Sequence, residues 1–475
     1  MKPQSGFFKN LILLQKGDLK IFIPMSSLMF LLVFNYICIH TVNDSLIVPN
    51  IGAEILPYLD FFGVLPFAVI FSIFYIRFCN NIGPYRLFSL ILLFYAAFFL
   101  LYIYVIFPYE ETLHPDPNFI AHLIEMYPFA KWILMAYGKY TYSLFHIIAE
   151  IWPTVCIVVI FWQFANGFIQ KEQAKRLYPL FTLVGNIGLV AAGVCVKNVS
   201  EIPILENENH VLIVMLLKIV TLVCLMSIVL HYFICKVLIQ KRIKIANQKF
   251  TLSLRESLKI IYSSRYLMSI FALVLCYGIS INISQNAWKS ELREIYPSTD
   301  KFAYFYGLYN QWLGILTITF MLLGTYIIKN LKWKTIALVP VFFTFLFTSL
   351  FYGIMFVDYS IDRELFYVKT LTLAAFAGGL SYIFTKATKY SFFDISKEMA
   401  YLPLEDEIKT KGKAAIDAIS ERLGKGIGAF LQAALFFTIP SATYQSLSGF
   451  LLLIHLAICY YWYVSVQRLD KEMKL

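Results

Sequence analysis

Charged residues are scarce in this sequence. Asp, Glu, Lys and Arg supply 15% of its 475 residues and apolar types 59%, where soluble domains carry about 25% and roughly 45–50%. An ordinary soluble fold is thereby excluded. Apolar–polar alternation is missing too, which excludes a membrane β-barrel, whose strands face lipid and lumen in turn. The eight cysteines form no C-x-x-C pair and no ligand spacing, and read as small buried hydrophobes. The seven histidines show no ligand spacing either, and none is assigned a role. No G-x-x-x-x-G-K-[ST] loop is present, which disfavours a pump driven by its own nucleotide hydrolysis. No H-E-x-x-H or paired-carboxylate motif suggests an enzyme, and no cofactor is expected. The N-terminus has neither a cleavable signal pattern nor a long Ser- and Arg-rich extension. Direct insertion into a bacterial inner membrane is expected, rather than import into an organelle.

What is present is a succession of long apolar runs. About 20 apolar residues at 1.5 Å rise each cross a bilayer. Twelve spans are expected near 21–40, 56–78, 87–108, 143–168, 177–197 and 211–235, then 266–285, 303–328, 335–357, 366–388, 424–440 and 446–467. The fold class is all-α, a polytopic membrane protein. Lys and Arg concentrate in alternate loops, beginning with Lys2, Lys9, Lys16 and Lys20 and densest over 241–265 and 386–425. The intervening loops are acidic or neutral, with Glu110, Glu111, Asp116 and Glu201 among them. By the positive-inside bias both termini are cytoplasmic. The net charge of +11 is then a topology signal, and no nucleic-acid partner is expected. The basic linker 236–265 divides the chain into six-helix bundles 1–235 and 266–475. That is the major-facilitator plan, with substrate bound between the halves near the midplane. The proline-rich stretch 109–139 is expected to be an ordered external loop carrying a short helix.

Ionisable groups inside spans cost about 2.5–3.5 kcal/mol each on insertion scales and usually face a cavity. Glu150 lies within span 4, in AEIWP, and cannot snorkel far. Lys218 and Lys369 lie in spans 6 and 10, where snorkelling or a structural ion pair accounts for them as readily as a place in the cavity. Asn43 and Asp44 follow span 1, and Asn282, Gln285, Trp288 and Lys289 end span 7. Lys386, Lys389, Lys409, Lys411 and Lys413 cluster after span 10, with Asp417, Arg422 and Lys425 leading into span 11. On charge alone that cluster serves as an orientation anchor as readily as a binding surface. Read as a cavity, a mid-membrane acid with lysines near one mouth suits an anionic substrate. The lysines offer mobile point charges, and Trp288 a stacking surface for a base.

Several segments resemble the ATP/ADP translocase family of intracellular bacteria and plastids. They are FNYICIHTVNDSLIVPNIGAE (34–54), IIAEIWPTVCIVVIFWQFANGF (147–168), QAKRLYPLF (173–181), SLRESLKIIYSSRYL (253–267) and YGISINISQNAWKSELREIYPS (277–298). The most specific is KEMAYLPLEDEIKTKGKAAIDAISERLGKGIG (397–428), and the resemblance runs through essentially the whole chain. It implies a twelve-helix, major-facilitator-like carrier that exchanges nucleotides, with Glu150, Lys411 and Lys413 at positions the family uses. Two places depart. The family's usual R-D-T-K-D at the exit of span 1 is here His40-Thr41-Val42-Asn43-Asp44, so a lysine has become Asn43. The middle of its N-L-V-E-V-T-W-K is replaced at the end of span 7, where a glutamate has become Gln285. Loss of one cation and one anion together is electrostatically sensible if the two interact across the halves, because a lone buried charge is costly.

The site expected from these readings has Lys386, Lys411 and Lys413 attracting phosphates, with Asn282, Gln285 and Trp288 near the base or ribose. Glu150 is a gating or coupling charge, and Asn43, Asp44 and Lys289 complete the cavity. The expected function is ATP/ADP antiport by alternating access, importing host nucleotide into an intracellular bacterium, with nucleotide and lipid bilayer as the partners. A proton-coupled or exchange carrier for other nucleoside triphosphates or NAD stays open, as does a generic major-facilitator carrier.

Overall fold

The computed structural model of the chain describes residues 16–167, 169–202, 210–236, 259, 261–262, 264–360, 367–404 and 406–473. Among them there is no strand. The first half holds α1 (Lys16–Ile47), α2 (Leu65–Ile82), α3 (Pro84–Leu101), α4 (Tyr140–Trp152), α5 (Lys171–Ser200) and α6 (Val211–Ile234). The second holds α7 (Arg265–Ile295), α8 (Thr299–Asn330), α9 (Trp333–Ser360), α10 (Tyr367–Thr388), α11 (Asp406–Thr438) and α12 (Ser448–Glu472). Nine helical segments among the described residues are long and apolar enough to cross a membrane. With α8, α10 and α11 they make the twelve expected.

Several helices outrun the apolar windows that announced them. α1 continues to Ile47 and α7 to Ile295, so Asn43, Asp44, Trp288 and Lys289 lie inside helices rather than after them. α11 already begins at Asp406, which makes the K-G-K-A-A-I-D stretch helical. Polar residues stop a hydropathy window, but they do not stop a helix whose polar face meets protein instead of lipid. Asn43 and Asp44 are fully buried. The 109–139 connection holds the helices Glu110–Leu113, Pro117–Met126 and Lys131–Gly138, the second capped by the Asp116 carboxylate accepting from the Asn118 N–H at 2.9 Å.

Packing fixes the topology. α5 and α8 run antiparallel, since Asn186 meets Met321 while Gly193 meets Gly307 and Gln311. The turn at 296–298 between α7 and α8 is short, so α5 begins, α7 begins and α8 ends on one face. α1 begins there too, its Asp18 bonded to Arg176 at 2.9 Å, and α12 ends there, Leu469 packing in the cluster that holds Leu267. This is the terminal face; the opposite one is the distal face.

The halves are joined at the midplane and towards the distal face. A Cβ added at Gly193 would lie 2.7 Å from the Gln311 nitrogen, so α5 and α8 touch through backbone. Trp132 meets Phe436 and Phe129 meets Phe437, both edge-on across the halves. Around the outside runs an apolar belt, with Phe94, Leu225, Val229, Phe376 and Tyr460 exposed, as lipid contact requires. Lys218 is exposed on this outer surface and pairs with no described acid, which answers to snorkelling. The side chain of Lys369 lies outside the described residues.

Candidate functional site: a charged cavity between the halves

A cavity opens between the halves at the midplane. It encloses about 1170 Å³, its open mouth included. Along α7 it reaches from Tyr277 to Lys289, about 18 Å at 1.5 Å per residue.

Three of its walls are segments where the helix widens from α to π geometry: Leu59–Val64, Pro153–Phe161 and Lys389–Phe393. Such wide turns recur at functional sites because they turn side chains out of register. Pro153 accounts for the second, since it has no N–H to give the Ala149 carbonyl and the helix loosens just beyond Glu150. Asp60, Thr154, Lys389 and Tyr390 enter the cavity from these segments.

One polar chain ties the walls together. Lys289 Nζ lies 2.8 Å from Asp44 Oδ1, while Asp44 Oδ2 lies 3.1 Å from His40 Nδ1. His40 Nε2 lies 3.2 Å from Glu150 Oε1. Asn43 Nδ2 donates to Glu150 Oε1 at 3.4 Å and to His146 Nδ1 at 3.1 Å. His146 Nε2 faces Asp60 Oδ1 at 3.2 Å, so His146 fits as the Nε2–H tautomer, accepting from Asn43 and donating to Asp60. Asp60 Oδ2 accepts from Asn282 at 3.0 Å, and Asn282 Oδ1 accepts from Gln432 at 2.9 Å. The chain crosses between the halves twice, at Lys289–Asp44 and at Asn282–Asp60.

Towards the terminal face the lining turns cationic. There Lys386, Lys389, Arg422 and Lys425 face the cavity around the carboxylate of Glu421, while Lys289, Asp60 and Glu150 line it nearer the distal side. Glu421 takes both Lys389 at 3.2 Å and Lys425 at 3.5 Å. Lys386 is held by Tyr382, 3.3 Å from its hydroxyl and 4.4 Å over its ring, and neither Lys386 nor Arg422 forms an ion pair with a described acid. Sequence builds this wall through glycine. A Cβ at Gly424 would lie 2.6 Å from the Leu275 carbonyl and one at Gly428 3.2 Å from that of Ile279, so the G-x-x-x-G face of α11 lies directly on α7. That close approach brings Glu421, Arg422 and Lys425 to the cavity.

Of the residues expected at the site, Glu150, Asn282, Gln285, Lys289 and Lys386 line the cavity. Asn43 and Asp44 stand behind the wall, bonded to residues that line it. Trp288 is elsewhere: it is fully buried, packed in a cluster with Tyr306, Tyr309 and Tyr382, with Nε1 donating to the Ala375 carbonyl at 3.0 Å. With the ring fully buried, no base can stack there. Lys413 pairs with Glu398 beside a surface hollow that also holds Asp394 and Leu402, away from the cavity. The side chain of Lys411 lies outside the described residues. Asn43 and Gln285 do not bond each other; Gln285 reaches the Tyr306 hydroxyl at 3.5 Å. Sequence reasoning missed Asp60 and both histidines. A signal existed, for His40 and Asp44, like His146 and Glu150, are four apart inside apolar spans, which stacks each pair on one helix face.

The TLC ATP/ADP transporter model matches residues 2–473 of the chain. The chain belongs to that family. Among its relatives, ADP,ATP carrier protein 3 of Rickettsia prowazekii (strain Madrid E) is 36% identical over 496 residues, covering 99% of each chain. ADP,ATP carrier protein 4 of Rickettsia bellii (strain RML369-C) is 35% identical, covering 97% of this chain and 92% of its own. Solved structures share the fold at low identity. A bacterial homologue of the iron transporter ferroportin in its outward-facing state matches with a TM-score of 0.56 at 12% identity, over 94% of this chain and 99% of its own. The nucleoside transporter NupG matches with 0.52 at 11%, over 93% and 98%. This member of the ATP/ADP transporter family therefore has a major-facilitator-like fold, with its charged cavity where such folds bind substrate.

Proposed function

We propose that this chain exchanges ATP for ADP across a membrane by alternating access, binding nucleotide in the cavity between its halves. The observation that carries the reading is the cation surplus there, with Lys386 and Arg422 lacking an acidic partner among the described residues. Unpaired cations at the end of a low-dielectric cavity suit a polyphosphate, which brings the missing negative charge. Lys386, Lys389, Arg422 and Lys425 hold phosphates in this reading, and Asn282 and Gln285 lie within reach of the nucleoside. Lys413 takes no phosphate, and Trp288 acts by packing α7 against α8 and α10.

The same proposal divides the chain into bundles 1–235 and 266–475 with linker 236–265 between them. It places the terminal face in the cytoplasm of a bacterium, because Lys and Arg crowd that side. The cavity then opens inward in this conformation, while the distal contacts of Trp132 and Phe129 close the outer side.

Uptake of labelled ATP into proteoliposomes tests it, with the lumen empty or loaded with ADP and with other nucleotides as competitors. Uptake confined to ADP-loaded vesicles is the expected result. Uptake of no nucleotide under any loading overturns the reading; uptake into empty vesicles replaces exchange with import.

A further inference from the structure

We propose that His40 is a proton-binding site of the cavity, and that its proton and the transported nucleotide bind together. The inference rests on the transport reading above and adds a second ligand to it.

Both ring nitrogens of His40 face carboxylate oxygens, Nδ1 that of Asp44 at 3.1 Å and Nε2 that of Glu150 at 3.2 Å. A neutral imidazole has one N–H and one lone pair, and a lone pair turned on a carboxylate repels it. Only the imidazolium donates at both ends. His146 differs, because its second partner is the Asn43 amide, which donates to it.

The surroundings of His40 supply no substitute for that proton. Tyr36 meets its ring edge-on from α1 and Tyr306 stacks on it from α8. Asp44 is shared with Lys289 of α7, which already spends its charge there. Among the described residues Glu150 of α4 has no other cation in bonding range, only the Asn43 amide. Lys386 of α10, with Tyr382, and Lys389 and Tyr390 beyond it lie further down the cavity, and His146 and Asp60 are three and four hydrogen bonds away. When His40 releases its proton, one carboxylate loses its partner and the wall gains one negative charge facing the phosphates. Nucleotide affinity falls. By reciprocity, bound nucleotide holds the proton in place.

The test is equilibrium binding of labelled ATP to the purified full-length carrier in detergent across about pH 5 to 8, the interval in which histidines exchange protons. His40→Arg and His40→Gln are measured alongside, with an indicator dye reading proton uptake on ATP addition in weak buffer. The parent affinity is expected to fall with rising pH, by up to about tenfold per unit more than in His40→Arg, whose slope reports only the nucleotide's own phosphates. His40→Gln holds the parent's weak high-pH affinity throughout, and neither variant takes up the proton. Equal slopes in parent and His40→Arg overturn the proposal. If the variants do not fold, the parent decides alone: no proton taken up with ATP overturns it. A parent that binds no nucleotide at any pH removes the transport reading instead.

Discussion

Lys289 of α7 and Asp44 of α1 form a buried ion pair between the two halves, Nζ to Oδ1 2.8 Å, with side chains 5% and 0% exposed. Buried pairs are poor sources of net stability, yet removing one partner leaves an uncompensated charge at about 3–5 kcal/mol. The pair has to part whenever the halves separate at the distal face. In the proposed cycle it acts as a latch for one access state.

Lys289→Gln alone is therefore expected to lower thermal stability in detergent by several degrees and to abolish exchange. Lys289→Gln with Asp44→Asn recovers most of the stability, since both charges leave together. Unfolding scans and ATP uptake check this; a double variant no more stable than the single one removes the latch.

Lys386→Gln and Arg422→Gln each weaken ATP binding roughly tenfold to a hundredfold, the value of a charge-assisted hydrogen bond of about 1.5–3 kcal/mol. Adenosine binding changes little. Lys413→Gln leaves ATP affinity within about twofold, because its partnership with Glu398 is a surface pair worth about 0–1 kcal/mol. Competition binding with ATP and adenosine decides it, and equal losses for both ligands would make the two cations structural.

Glu150→Gln keeps a side chain of the same shape but takes one carboxylate from His40. Exchange is expected to fall at least tenfold while expression and unfolding temperature stay near those of the parent. Normal uptake at normal expression would remove Glu150 from the cycle.

Gly193→Leu puts atoms where the Gln311 nitrogen would be 2.7 Å from a Cβ. Overpacking of this kind costs about 1–3 kcal/mol, and here it falls on the state in which α5 and α8 touch. Cysteines placed on the distal ends of α1 and α7 are expected to become more reactive to a membrane-impermeant thiol reagent. Unchanged reactivity would mean that α5 and α8 stay together through the cycle.

Much of this protein was determined by sequence alone. Twelve helices, their order and the alternation of basic and acidic loops follow from windows of about 20 residues, because partition into lipid is a local property. Glu150, Asn282, Lys289 and Lys386 were legible as cavity residues for the same reason, since a polar group costs free energy in lipid wherever the rest of the chain goes. Which polar groups meet was decided only by tertiary structure. Asp44 and Lys289 are 245 residues apart, and no local pattern joins them. Trp288 and Lys289 are neighbours in sequence but turned about 100° from each other around the helix, so one packs on Tyr382 and the other reaches Asp44. His40 and His146 are ordinary within their own helices. They join one polar chain only when α1, α4 and the Asp60 turn converge, because a histidine's proton is set by what faces both of its nitrogens, and that is fixed by packing.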